Sequence, residues 1–162
     1  MEDTIPKQLI VNNIPFDYPS KGDEPGWGGD ATDWACEVTD VLGSLLGPDD
    51  IIQTAFNIAN NQTTVQDVVG LAFNTGSARS AVVQYAIYRV SDSNPSGNTE
   101  TGEMHIVYDN NSGWSIGLGG VVGTAGVNFT ITPSGQVQYV STDIGNLNYT
   151  GVMKFKATSL QQ

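Results

Sequence analysis

From residue 51 onward the apolar side chains recur at every second position, and a period of two restricts this part of the chain to β-strands. Val127, Phe129 and Ile131 alternate with Asn128, Thr130 and Thr132, and after Pro133-Ser134-Gly135 the alternation resumes at Val137 and Tyr139. A turn-forming tripeptide between two alternating runs predicts a hairpin. Near the C-terminus Tyr149, Gly151, Met153 and Phe155 form the row expected to face inward, with Thr150, Lys154 and Lys156 facing outward. That is the pattern of an antiparallel sheet with one buried face. Val82, Val83, Ala86, Ile87, Tyr88 and Val90 make a strand apolar on both faces, expected at the centre of the domain or against another subunit. Strands are predicted over 55–59, 68–74, 81–90, 103–108, 113–118, 127–132, 136–141 and 149–158. Loops are predicted over 91–101, 109–113 and 143–148, and Gly117, Gly119, Gly120, Gly123 and Gly126 read as a flexible or tightly turning connection. Short strands separated by turn signals predict an antiparallel β-sandwich, jelly-roll-like, over residues 51–162.

The first 50 residues follow different rules. They hold 11 Asp/Glu against 2 Lys, whereas residues 51–162 hold 6 Asp/Glu against 4 Lys/Arg. Pro6, Pro15, Pro19 and Pro25, with Gly22, Gly26, Gly28 and Gly29, oppose helix over residues 1–29 and predict an extended arm. The arm also carries Leu9, Ile10, Val11, Ile14, Phe16, Tyr18 and Trp27, more apolar bulk than a solvated linker needs, so these residues are expected to lie on a partner chain or surface. A helix over about 31–46, inside a segment spanning 30–50, is predicted from Asp30 as N-cap, Asp33 in the first turn and Gly47-Pro48 as the stop. Its residues Trp34, Val38, Val41 and Leu45 are spaced 4-3-4. This stripe suits either packing on its own domain or self-association about a symmetry axis, and two heptads need neighbouring domains to hold them together.

Charge narrows the partners. With a net charge of −11 and no basic run, the chain lacks the cations that would neutralise nucleic-acid phosphates, and an anionic membrane would repel it. Neither nucleic acid nor membrane is expected as a partner. No stretch approaches the roughly 18 to 20 apolar residues of a membrane span. The opening MEDTIPKQLIVNN is acidic and has no continuous apolar region, so synthesis in a cytoplasm is expected. One cysteine, Cys36, makes no intramolecular disulfide, and with one histidine, His105, it leaves little for a zinc site.

The catalytic inventory is thin. A nucleophilic triad would need His105 as its base, and His105 sits in an alternating run as a surface strand residue. Cys36 lies on an acidic helix, where neighbouring carboxylates raise a thiol pKa and blunt its nucleophilicity. Asp67, Asp92, Glu100, Glu103, Asp109 and Asp143 supply the carboxylates of the β segment, mostly in polar loops where solvation keeps them ordinary. A paired-carboxylate glycosidase is therefore a minor alternative. The run Asp109-Asn110-Asn111-Ser112-Gly113 has oxygen donors without the spaced carboxylates of a calcium loop. No catalytic residue, cofactor or metal is expected, and a structural or binding role is.

Tyr18-Pro19-Ser20-Lys21-Gly22-Asp23-Glu24-Pro25-Gly26-Trp27-Gly28-Gly29-Asp30, continuing through Trp34-Ala35 to Val38-Thr39-Asp40-Val41-Leu42, resembles virion structural proteins of marine and aquatic tailed bacteriophages. The runs from Val127 to Tyr139 and from Tyr149 to Phe155 are similar to the same group. The resemblance implies a particle component with an anchoring arm, a short helix and a β-sandwich head, often trimeric, assembled in the host cytoplasm. Two functions follow as expectations. One is a capsid decoration or cement protein, a homotrimer whose arm and helix fasten to the major capsid protein or another virion protein. The alternative is a tail fibre or receptor-binding appendage whose loops 110–114 and 145–149 present aromatics to a host glycan or surface protein.

Overall fold

Eight strands form between residues 51 and 160, where the alternation predicts eight. The computed structural model describes residues 8–11, 14–17, 32–40 and 49–160. The chain divides into two units, Met1–Leu46 and Gly47–Gln162.

In the first unit β1 (Gln8–Val11) and β2 (Ile14–Asp17) pair antiparallel, with Leu9 opposite Phe16 and Ile10 opposite Pro15. Within the expected arm, then, β1 and β2 lie side by side as a two-stranded ribbon. Both runs are β-prone, and each strand of a two-stranded ribbon keeps a free edge on which the missing N–H of Pro15 is tolerated. Helix α1 is described over residues 32–40, where the Thr39 hydroxyl donates to the Ala35 carbonyl at 2.8 Å. Of the expected seam, Trp34 is exposed and Val38 half-buried, while Val41 and Leu45 lie outside the described residues. Tyr18, Trp27 and the Asp30 cap lie outside them as well.

The second unit is the β-sandwich. One antiparallel sheet has the order β3-β10-β5-β6-β7, from strands Ile51–Asn57, Thr150–Leu160, Ser80–Ser91, Asn94–Asp109 and Gly113–Gly123. The other has the order β4-β9-β8, from Gln66–Ala72, Gln136–Ser141 and Val127–Ile131. The apolar rows meet between them. Val83, Tyr85 and Ile87 of β5, Met104 and Ile106 of β6, and Met153 and Phe155 of β10 pack with Val68 and Leu71 of β4 and Val137 and Tyr139 of β9. Phe56 meets Tyr139 edge-on at 5.4 Å, and Tyr85 meets Phe129 at 5.5 Å. The strand apolar on both faces, β5, is indeed the centre of the larger sheet, bonded to β10 and to β6 along its length.

Two segments read as loops are strand. Ser91 pairs with Asn94 across a two-residue turn, so β6 starts at Asn94 and takes in nearly all of the predicted 91–101 loop. β7 continues through Gly117, Gly119 and Gly120 to Gly123, with a register shift opposite Gly102. Small polar residues and glycines hide a strand from a hydrophobicity pattern, but their backbones pair as well as any other.

Candidate functional site

Loops at one end of the sandwich converge on a charge that the apolar pattern conceals. Arg89 falls in phase with Val83, Tyr85 and Ile87 on the inward row of β5 and is 0% exposed. A buried guanidinium is tolerated only when its donors are met. Here they meet neutral oxygens from three connections, β3–β4, β7–β8 and β9–β10. Nη1 donates to the Ala125 carbonyl at 2.6 Å, Nη2 to the Thr142 carbonyl at 2.6 Å and to Asn60 Oδ1 at 3.0 Å, and Nε to the Tyr149 hydroxyl at 3.1 Å. The guanidinium also lies 5.6 Å from the centre of the Tyr149 ring.

A buried acid works beside it. Glu100 accepts from the Tyr85 hydroxyl at 2.8 Å and from the Ala125 backbone N–H at 2.8 Å. Ala125 is thus held at both ends, its N–H by a carboxylate and its carbonyl by a guanidinium, and the β7–β8 connection is pinned. The glycines of that connection permit the approach: Gly126 has φ +66°, and a Cβ there would stand 2.2 Å from Thr142 Oγ1. Of the two readings of that connection, flexible or tightly turning, the clamp on Ala125 fits the second.

The clamp extends outward through amides. Asn60 Nδ2 donates to Asp143 Oδ1 at 2.7 Å, to the Gly145 carbonyl and to Asn146 Oδ1, and its Oδ1 receives the Ile144 N–H. Ser91 donates to the Ile144 carbonyl. The Gly145 N–H and the Asn60 amide hold the Asp143 carboxyl below its ordinary range, and the N–H groups of Asn111 and Ser112 do the same for Asp109 at the other turn. Both turns therefore gain stability that is present above the ordinary carboxylate range and lost as pH falls through the depressed values.

Tyr85 shifts the other way. Burial first, and then the adjoining Glu100 carboxylate, push its hydroxyl above its usual value. In the unfolded chain a tyrosine loses its proton near about pH 10, while folded Tyr85 keeps it. Its contribution is complete below that pH and is lost as pH rises toward the folded value. Urea midpoints measured from pH 8 to 11 should fall along the alkaline limb, and Tyr85→Phe should flatten that fall. An identical alkaline slope in both proteins would show that Tyr85 does not carry it.

The loops expected to present aromatics turn them inward. Trp114 is 6% exposed, packed against Tyr108 at 5.2 Å and Phe73 at 6.2 Å, and Tyr149 is occupied with Arg89 and the Ile58 carbonyl. His105 is exposed on β6, its Nε2 3.7 Å from Glu103, and Cys36 is exposed on α1. Among the described residues no cluster of three or more His, Cys, Asp or Glu is placed to hold a metal ion, and no helix is long and apolar enough to cross a membrane.

The outer face of the larger sheet carries exposed apolar residues. Val82, Ala86 and Tyr88 of β5, Val107 of β6 and Val122 of β7 point away from the core, Val122 being 68% exposed. Between Tyr88, Thr101, Val122 and Val152 the face dips into an open groove of about 570 Å³, with Lys154 at its side. An antiparallel sheet that faces water ordinarily turns polar residues outward, so this face is a candidate contact surface.

No family model matches the chain, and no curated protein does. Among solved structures, the tailspike protein of Acinetobacter phage vB_ApiP_P1 aligns at 10% identity with a TM-score of 0.40, over 70% of this chain and 20% of that one.

Proposed function

We propose that the chain is a structural component of a tailed-bacteriophage particle, a non-catalytic appendage that presents its β-sandwich from an N-terminal attachment segment. The observation that carries this reading is the unequal character of the two parts. The first 50 residues hold most of the negative charge together with the apolar residues Leu9, Ile10, Val11, Ile14, Phe16, Tyr18 and Trp27, a composition suited to docking. The β unit has its loops pinned by Arg89 and Glu100, which suits a rigid presented head. The resemblance of residues 18–42 to phage virion proteins supports the same class.

Within that class the proposed role is decoration of the head shell, with the major capsid protein or another virion protein as partner and repeated copies, as a homotrimer, on the particle. The inward-turned Trp114 and the engaged Tyr149 deprive a receptor-binding role of the loop aromatics it would use. Purified protein mixed with undecorated heads and sedimented should saturate at tens to hundreds of copies per particle, on the order of the repeated sites of a closed shell. A variant lacking residues 1–29 should lose the binding while its β unit stays folded. Binding to tails or host cells with none to heads would replace decoration with a tail-appendage role, and full head occupancy by the truncated variant would remove the anchoring role.

A further inference from the structure

The outer face of the larger sheet carries its charges in an order that matches itself. β5 runs down the middle, with β10 on one side and β6 on the other. In one transverse row Lys156 of β10, Gln84 of β5 and Glu103 of β6 stand side by side, since Gln84 pairs with Lys156 and with Glu103. The next rows read Lys154, Ala86, Thr101 and Thr158, Val82, His105. All the positive charge lies to one side of β5 and the negative charge to the other.

A two-fold axis laid along β5 in the plane of contact exchanges the two sides without moving any residue along the strand. It sets β10 of one copy over β6 of the other, with each Lys156 facing the partner's Glu103. On the axis Val82, Ala86 and Tyr88 meet their own counterparts, and Gln84 meets a second side-chain amide, which both donates and accepts. We propose that this face is an isologous contact between two copies of the chain, distinct from the contact that would build a homotrimer and able to join copies of two trimers, closed by reciprocal Lys156–Glu103 pairs around an apolar stripe.

Three observations favour a second copy over another occupant. The one row that carries charge on both sides of β5 complements itself, each Lys156 facing Glu103 of the second copy, as an isologous contact requires. Among the described residues Lys154 and Lys156 make no ion pair within their own chain, and Glu103, held by Gln84 at 3.2 Å, keeps its other oxygen directed to His105 at the surface. Five strands about 4.8 Å apart, followed over the length of β10, present a face on the order of 800 Å², what each partner gives to a stable interface, and stacked sheets stand about 10 Å apart, a gap that a lysine and a glutamate bridge together.

The test is a charge exchange in the full chain. Lys156→Glu and Glu103→Lys each place like charges together, and each should weaken pairing at least about tenfold and halve the mass measured by sedimentation equilibrium. The double variant K156E/E103K should restore the wild-type mass, and because both positions are at the surface, circular dichroism should show all three variants folded. Equal mass in wild type and both single variants overturns the proposal. So does a double variant that stays at half mass, or loss of particle attachment in K156E at unchanged mass, which would give the face to another virion protein. Attachment to heads is scored separately, so the pairing stands or falls on mass whatever the chain decorates.

Discussion

Arg89→Met will destabilise the β unit by about 3–5 kcal/mol, the cost of leaving several buried oxygens at once without the donor that met them. Methionine fills much of the stem's volume, so the loss is mainly polar. The carbonyls of Ala125 and Thr142 and the side chain of Asn60 lose a charged donor at once, and each was placed by it. For a unit of this size the midpoint of thermal unfolding should drop by roughly 12–20 °C. Arg89→Lys should recover only part of this, because an ammonium cannot reach acceptors spread across the guanidinium fork. Calorimetry of the three proteins decides it, and a drop under about 4 °C for Arg89→Met would mean that the loops hold themselves in place.

Gly135→Ala should cost about 3 kcal/mol or more, through two effects that add at one atom. The residue sits at φ +87°, a conformation that L side chains rarely adopt, and its Cβ would stand 2.1 Å from the Phe73 carbonyl oxygen. That oxygen is backbone and has little room to retreat, since the Phe73 N–H donates to the Gly135 carbonyl at 3.0 Å. The Trp114 indole nitrogen is next in line at 2.9 Å from the added carbon. Urea unfolding with an unchanged m-value and a lowered midpoint would register the loss. A neutral result would mean that the 132–135 turn shifts as a body.

Both positions show where the sequence is readable and where it is silent. The alternation in β5, β9 and β10 is legible because each of these strands has one face against the core, and the turn at Gly135 announces itself through Pro133-Ser134-Gly135. Arg89 carries a signal too: a charge standing in the inward row, two places after Ile87, is either an error of register or a buried ion. Its partners have no such signal, because backbone carbonyls of Ala125 and Thr142 are invisible in a string of side chains. Glu100 escapes for a related reason, lying amid small polar residues where its burial depends on β7 closing over it. The outer-face charge order is legible only after register is known, since Lys156 and Glu103 are 53 positions apart and meet one row through Gln84. The Pro/Gly density of residues 1–29 does not reveal that β1 and β2 pair, because pairing depends on where the chain turns back.

The place of β10 in its sheet bears on the order of events during synthesis. Thr150–Leu160 lies between β3 and β5, strands made long before it. Until those residues clear the ribosome, β3 has no neighbour to bond in its sheet, and β5 offers an open, largely apolar edge to whatever passes. Closure of the larger sheet is thus a late event joining distant parts of the chain, and distant pairings are slow to form. A nascent chain halted before Thr150 would be an unfinished sheet with an edge available to its neighbours on the same polysome.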